Sequence, residues 1–286
     1  MADKYTALWI SHSSLSDFLK CPRSYFLKNV YKNPQTQRKI QLITPALSLG
    51  SAVHEVIESL SILPADQRFH QPLPDKFTRL WQKYRGKSGG FFEQRTEDYY
   101  FRRGLEMITR LVQHPDPLEK LAVKIKADLP HYWLSEKDQI ILCGKIDWLE
   151  FQAETRTVCI IDFKTSSREE SPESLQLPIY YLLANHCQSY PVSHVSYWYL
   201  NQTNEPIEKT LPDPAKAESH LLTLARKIKL ARQLGHLICP NHGCRYCLPF
   251  EKIFQGQAQL VGLNTFGQEC YVLLPDSESK NREIIL

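Results

Sequence analysis

The residues best suited to chemistry lie on two neighbouring extended stretches, Gly144-Lys145-Ile146-Asp147 and Ile160-Ile161-Asp162-Phe163-Lys164-Thr165. Side chains alternate along a strand, so Asp162 and Lys164 project to one face while Phe163 turns into the opposite, apolar layer. Two carboxylates and an ammonium thereby share a pocket. A hard divalent cation, Mg²⁺ or Mn²⁺, takes such oxygen ligands and keeps bound water, and a neighbouring lysine can orient or deprotonate that water for attack on phosphorus. The chemistry suggested is metal-assisted phosphodiester hydrolysis by Asp147, Asp162 and Lys164.

Flanking segments add functional side chains at helical spacing. Gly50 and His54 in Leu49-Gly50-Ser51-Ala52-Val53-His54-Glu55 share a helix face, as do Gln176 and Tyr180 in Leu175-Gln176-Leu177-Pro178-Ile179-Tyr180. Alone, each pattern has an ordinary structural use: a solvated strand edge, a packed histidine, a Gln/Tyr pair on any helix. Their order along the chain resembles the PD-(D/E)XK nuclease core, and within it the RecB-like branch that includes the AddB nuclease and CRISPR-associated adaptation nucleases. Gly50 to His54 is similar to the G-x-x-x-H helix of that branch, and Gln176 to Tyr180 to its Q-x-x-x-Y helix. Ser13-Ser14-Leu15-Ser16-Asp17-Phe18-Leu19-Lys20-Cys21-Pro22 looks like its first helix, so the resemblance spans about residues 11–254.

That resemblance implies an α/β, restriction-endonuclease-like core with a mixed central sheet flanked by helices. It implies that His54, Asp147, Asp162 and the Phe163 backbone carbonyl hold Mg²⁺ or Mn²⁺, that Lys164 acts on the attacking water, and that Gln176 and Tyr180 orient the substrate or the lysine. Many members carry one more acidic ligand. Glu119 is the best-placed candidate here, but it is far from Asp147 and Lys124 stands where a tighter alignment puts the acid, so none is assigned.

The elements that must position these residues can be read in outline. Serine-capped residues 11–30 and residues 45–63 read as helices, the second carrying His54. Residues 64–117 read as a helical insertion. Its run Tyr99-Tyr100-Phe101-Arg102-Arg103 can stack bases and pair phosphates, although buried packing is the commoner use of such aromatics. Strands are expected over 118–128, 139–151 and 157–164, then a helix over 172–187, a strand over 192–201 and a helix from Asp213-Pro214 to about residue 234. Residues 1–254 read as one domain, and 255–286 as a tail whose role the sequence does not disclose.

The cysteines form a second constellation. Cys143, Cys159, Cys187 and Cys270 are isolated, where a small packed thiol is the default, whereas Cys239, Cys244 and Cys247 crowd the segment 235–254. In a chain that begins no signal peptide, and for which cytoplasmic residence is expected, clustered cysteines argue for metal rather than disulfides. The resemblance implies a 4Fe-4S cluster in which Cys21 is the fourth ligand, joining the two ends of the domain. The family's usual C-terminal spacing is similar to C-x-x-C-x5-C, but Ile253 lies six residues after Cys247, so Cys239 stands in. Zn²⁺ is the alternative, with His242 available as a ligand.

The formal net charge is +4, but its distribution is uneven. Residues 1–40 and 216–245 each carry +5, which leaves −6 elsewhere. Basic ends around an acidic centre suit a protein that holds a phosphate backbone and brings metal to it, as do solvated helix faces. No run of about 18 apolar residues is present to span a membrane. The expected function is a metal-dependent DNA nuclease, acting from an end on single-stranded or free-ended DNA in repair, recombination or defence. A P-loop motif is missing, so unwinding would fall to a separate helicase or another repair or defence partner. The alternative is a catalytically silent, nuclease-derived DNA-binding or assembly subunit with a structural metal cluster.

Overall fold

The computed structural model describes residues 3–275, so the part of the expected tail beyond residue 275 lies outside the described residues. Strand β1 (Leu8–Ile10) leads into helix α1 (His12–Lys20), whose start is fixed by a capping box between Ser11 and Ser14. The helix expected over 11–30 is broken. Cys21 is extended, Pro22 opens the short helix α2 (Pro22–Tyr25), and a π-helical turn, Phe26–Val30, follows. Proline cannot donate into a preceding turn, so the helix ends at Cys21 and leaves its thiol at a corner.

Strand β2 (Ile40–Leu42) precedes α3 (Pro45–Glu58), where Thr44 caps the helix through Leu47 N–H and Pro45 sits in the first turn. The insertion supplies α4 (Leu73–Trp81), α5 (Gln94–Gln113) and the short α6 (Asp116–Glu119). Its aromatics mostly pack. Phe77, Trp81 and Phe91 are buried, and Phe77 stacks on Phe101 at 5.7 Å. Within the run 99–103, for which base stacking is the less common alternative to packing, Tyr99 is exposed, and Arg103 lies over both Tyr99 and Tyr100 at 5.6 Å.

The close approach of α5 to α4 depends on Gly104. A Cβ there would lie 2.3 Å from Cζ of the buried Phe77 ring. Gly104→Ala is therefore expected to destabilise the protein by about 1–3 kcal/mol through overpacking. An unchanged urea midpoint would show that the α4–α5 contact can move apart freely.

The chain then forms β3 (His131–Ser135), β4 (Ile140–Cys143), β5 (Trp148–Gln152) and β6 (Thr157–Lys164). Helix α7 (Gln176–Cys187) crosses to β7 (Val192–Tyr199), and β8 (Ile207–Lys209) and α8 (Pro214–Gln233) follow. Last come α9 (Leu248–Phe254), β9 (Ala258–Leu263) and β10 (Glu269–Leu273).

Three sheets result. The central one has the order β5-β6-β7-β8, with β6 and β7 parallel and the outer pairs antiparallel. A second has the order β1-β4-β3, and a third β2-β10-β9. Residues 258–263 and 269–273 of the tail thus form a hairpin, with β10 pairing in parallel with β2.

Two strand expectations are corrected. The stretch 139–151 is bent into β4 and β5, which belong to different sheets, with residues 144–147 at the corner. Gly144 allows this passage, since a Cβ there would come within 3.0 Å of Leu183 on α7. Residues 118–128 do not form a strand. Residues 118 and 119 belong to α6, and the segment beyond touches β5 through one bridge, Ala122 to Glu150, flanked by bonds from Phe151 N–H to Leu121 and from Val123 N–H to Leu149. Proline at 117 and 130 brackets the segment and limits its ladder.

Alternation along β6 divides the interior. Val158 and Ile160 pack with Ile179, Leu182 and Leu183 of α7 and Ile228 of α8. Ile161 and Phe163 pack with Val53 and Val56 of α3 and Met107 of α5. The basic ends prove partly engaged within the protein. Arg226 pairs with Asp138 at 2.7 Å and Lys229 donates to the Asp138 carbonyl, while Arg23 pairs with Glu251 and Lys28 with Asp17. No described helix is long and apolar enough to cross a membrane.

Candidate active site and cysteine centre

The corner after β4 and the end of β6 bring Asp147 beside Asp162. Asp147 Oδ2 accepts the Phe163 backbone N–H at 3.1 Å and lies 3.4 Å from His54 Nδ1, which α3 delivers one turn beyond Gly50. Gly50 faces the same region, its Cβ direction pointing at Thr165 Oγ1 at an ordinary contact distance of 3.4 Å. His54, Asp147, Asp162, Phe163, Lys164, Gln176 and Tyr180 all line one cavity of about 220 Å³.

Gln176, the first residue of α7, organises the floor. Its amide nitrogen donates to Asp162 Oδ1 at 2.7 Å and to the Tyr180 hydroxyl at 3.2 Å, and its carbonyl accepts from Lys164 Nζ. Of the two orienting roles implied by resemblance, the one seen in these contacts is a hold on the lysine and the carboxylate. Lys164 Nζ is also 2.9 Å from Asp162 Oδ2, 3.2 Å from Glu170 and 4.9 Å from the Tyr197 ring centre.

Electrostatics follow from burial. Asp162 is 2 % exposed, and desolvation, then the Asp147 charge, raise its pKa to about 7 against the pull of Lys164 and His54. For His54, burial favours the neutral ring, but the Asp147 carboxylate outweighs it and the net shift is upward. Burial likewise opposes the Lys164 charge, yet Asp162 and Glu170 prevail and raise its pKa. Lys164 therefore enters the site as an ammonium. Burial pushes Tyr180 well above the ordinary phenol range, so it is a neutral hydroxyl.

The donor set fits a hard divalent ion. Two carboxylates and an imidazole converge, and Asp162 Oδ2 is buried without a hydrogen-bond partner among the described residues, its Lys164 contact being an ion pair of poor hydrogen-bond alignment. Glu119 is exposed on α6, and Lys124 donates to Ser61 Oγ instead of lining the small cavity.

Two neighbours are not apparent from the motifs. Glu170 arrives from the loop after β6 and pairs with Lys164. His12, at the start of α1, is held down to about 4 by burial and then by the Lys164 charge, so its ring is neutral at pH 7. Glu170 follows Lys164 by six residues, a weak signal. Nothing local marks His12.

The expected cysteines also meet. The sulfurs of Cys21, Cys239, Cys244 and Cys247 lie within 4.8 Å of one another, and those of Cys244 and Cys247 are 3.7 Å apart. The corner at Pro22 supplies the first, and the loop before α9 the others. Arg23 clamps these two regions by paired bonds to Glu251 of 2.6 and 3.2 Å. Around the thiols, Leu27, Ile40 and Phe250 close a small apolar cluster.

Burial raises the Cys21 and Cys247 thiols, but at Cys244 the backbone N–H groups of Tyr246 and Cys247 overcome burial and bring its pKa to about 7. Such a set suits a metal. Tetrahedral zinc with bonds near 2.3 Å separates its sulfurs by about 3.8 Å, close to the Cys244–Cys247 spacing, whereas a four-iron cube requires a wider cage. His242 is exposed, with φ of +52°, and lies outside the four-sulfur group.

A search of the curated proteins gave no match. The sequence model of the PD-(D/E)XK nuclease superfamily, by contrast, matches residues 9–250, a span that includes α1, the corner at residues 144–147, β6, α7 and all four clustered cysteines. On that match, and with the site geometry above, the chain belongs to the PD-(D/E)XK nuclease superfamily.

Proposed function

We propose that the chain is a RecB-like deoxyribonuclease that hydrolyses phosphodiester bonds from a DNA end with Mg²⁺ or Mn²⁺. The observation carrying this reading is the meeting of His54, Asp147, Asp162 and Lys164 in one cavity. Asp147, Asp162, His54 and the Phe163 carbonyl would hold the cation, which supplies Lewis-acid charge and an acidified water when bound. Lys164, kept protonated by Asp162 and Glu170, directs N–H donors at the attacking water or the phosphate oxygens. Gln176 fixes both Lys164 and Asp162, and Tyr180 fixes Gln176.

The direct test incubates purified protein with end-labelled single- and double-stranded DNA and either cation. Metal-dependent shortening from an end is the expected result, and intact substrate in both metals would overturn the reading.

A pH dependence follows from the same site. Asp162 retains its proton to about pH 7 in the metal-free protein, whereas an unfolded aspartate loses it near pH 4. Between those values the folded state binds more protons, so this group's contribution to stability falls as pH rises through the window. The raised pKa of His54 acts in the same direction. Cation binding requires both groups unprotonated, so Mn²⁺ should raise the melting temperature little near pH 5 and clearly near pH 8, relative to chelator. Equal shifts at the two pH values would remove Asp162 from the metal site.

A further inference from the structure

A second cavity, of about 740 Å³, shares His54 and Asp147 with the catalytic pocket and extends away from it. Lys124, Lys126 and Lys145 line it, together with the acids Glu58 and Asp128. Lys145 is paired with Glu58, and Lys124 donates to Ser61 Oγ at 3.1 Å. Between the charged groups the lining is apolar, through Ile125, Leu129 and Ile146.

Phe266 completes the wall. It lies in the turn between β9 and β10, where the Asn264 side chain accepts the N–H groups of Phe266 and Gln268 at 2.9 and 3.0 Å. The turn is thus held by its own bonds, and its ring is 87 % exposed. An aromatic side chain left in water on a hydrogen-bonded turn gains nothing from packing and offers a face for stacking.

We propose that this groove carries a single nucleic-acid strand to the metal site, with Phe266 stacking on one of its bases. The proposal rests on the nuclease reading and assigns a role to the C-terminal hairpin. Three observations support it together: continuity with His54 and Asp147, exposed Lys124 and Lys126 along the wall, and apolar lining ending in an exposed ring. The apolar lining selects a single strand over a duplex, because only unpaired bases present their faces to such a surface. Lys124 and Lys126 supply the sequence-independent attraction, Lys145 being engaged with Glu58.

The test uses the full chain in chelator, where no cleavage occurs, and a fluorescein-labelled oligothymidylate read by anisotropy. Phe266→Ala should weaken binding roughly tenfold, while Phe266→Trp retains it. Tyr5→Ala, which removes an equally exposed aromatic outside the groove, serves as the control. Replacing Lys124 and Lys126 by Gln should reduce the salt slope by about 0.7 per lost phosphate contact. Wild-type affinity in Phe266→Ala, or an equal loss in Tyr5→Ala, would overturn the strand path. A parallel cleavage assay of the wild-type protein with Mn²⁺ reports on the nuclease reading separately, since binding in chelator needs no turnover.

Discussion

Lys164→Ala should lower single-turnover cleavage by roughly 10²–10³-fold while the protein still folds and still responds to Mn²⁺. The magnitude is that of removing one preorganised donor aimed at developing charge in a water-poor site. Lys164 is held for that task by the Gln176 carbonyl and by two carboxylates, and those carboxylates keep its proton on. Removing it leaves Asp162 buried with less compensation, which favours the protonated carboxyl and makes the measurement best done with saturating Mn²⁺ near pH 8.

Asp147→Ala is expected to abolish cleavage by another route. It removes the partner of His54 and the acceptor of the Phe163 N–H, so the Mn²⁺-dependent rise in melting temperature should vanish with activity. The two variants are therefore separable: Lys164→Ala keeps the metal response, and Asp147→Ala loses it. Near-normal cleavage by Lys164→Ala would exclude the lysine from the reaction.

How much of this site is legible in the sequence depends on how local its causes are. Asp162 and Lys164 share a strand face because β-strands have a period of two, and His54 and Tyr180 lie one helical turn from Gly50 and Gln176. These relations need no tertiary knowledge. The corner at residues 144–147 is different. Its apolar pattern continues from Ile140 to Phe151, but Gly144 must pass close to Leu183, and that contact is set by where α7 docks. Glu170 and His12 reach Lys164 from a loop and a helix start, neither of which carries a periodic signal.

The charge distribution is the least informative feature. It shows where cations lie along the chain but not which of them Asp138, Glu251 or Asp17 occupy. The tail hairpin was hidden for a similar reason. Its strand β10 is fixed by pairing with β2, more than 200 residues away.

Cys21→Ser and Cys244→Ser should each release the same metal centre and destabilise the protein to a similar extent, although they stand at opposite ends of the domain. Their sulfurs belong to one group within 4.8 Å, so loss of either ligand opens the same closed loop. The consequence extends beyond the sulfurs. Cys21 fixes the corner between α1 and α2, Cys247 begins α9, and the Arg23–Glu251 clamp lies between them. Helix α1 begins with His12, which lies close enough to Lys164 for the lysine charge to lower its pKa, so this corner borders the catalytic pocket. Releasing the centre should therefore impair cleavage as well as stability, with activity partly restored by conditions that stabilise the fold.

Cys159→Ser is the control, since that thiol is half-buried on β6, outside the four-sulfur group, and held at a raised pKa of about 11 by burial. Metal analysis of anaerobically purified protein identifies the occupant. A colourless protein with one zinc per chain matches the close sulfur spacing, and a brown, iron-containing protein means that the thiols open around a cube. Retention of the metal in Cys21→Ser would show that the centre is built from the C-terminal cysteines without the N-terminal one.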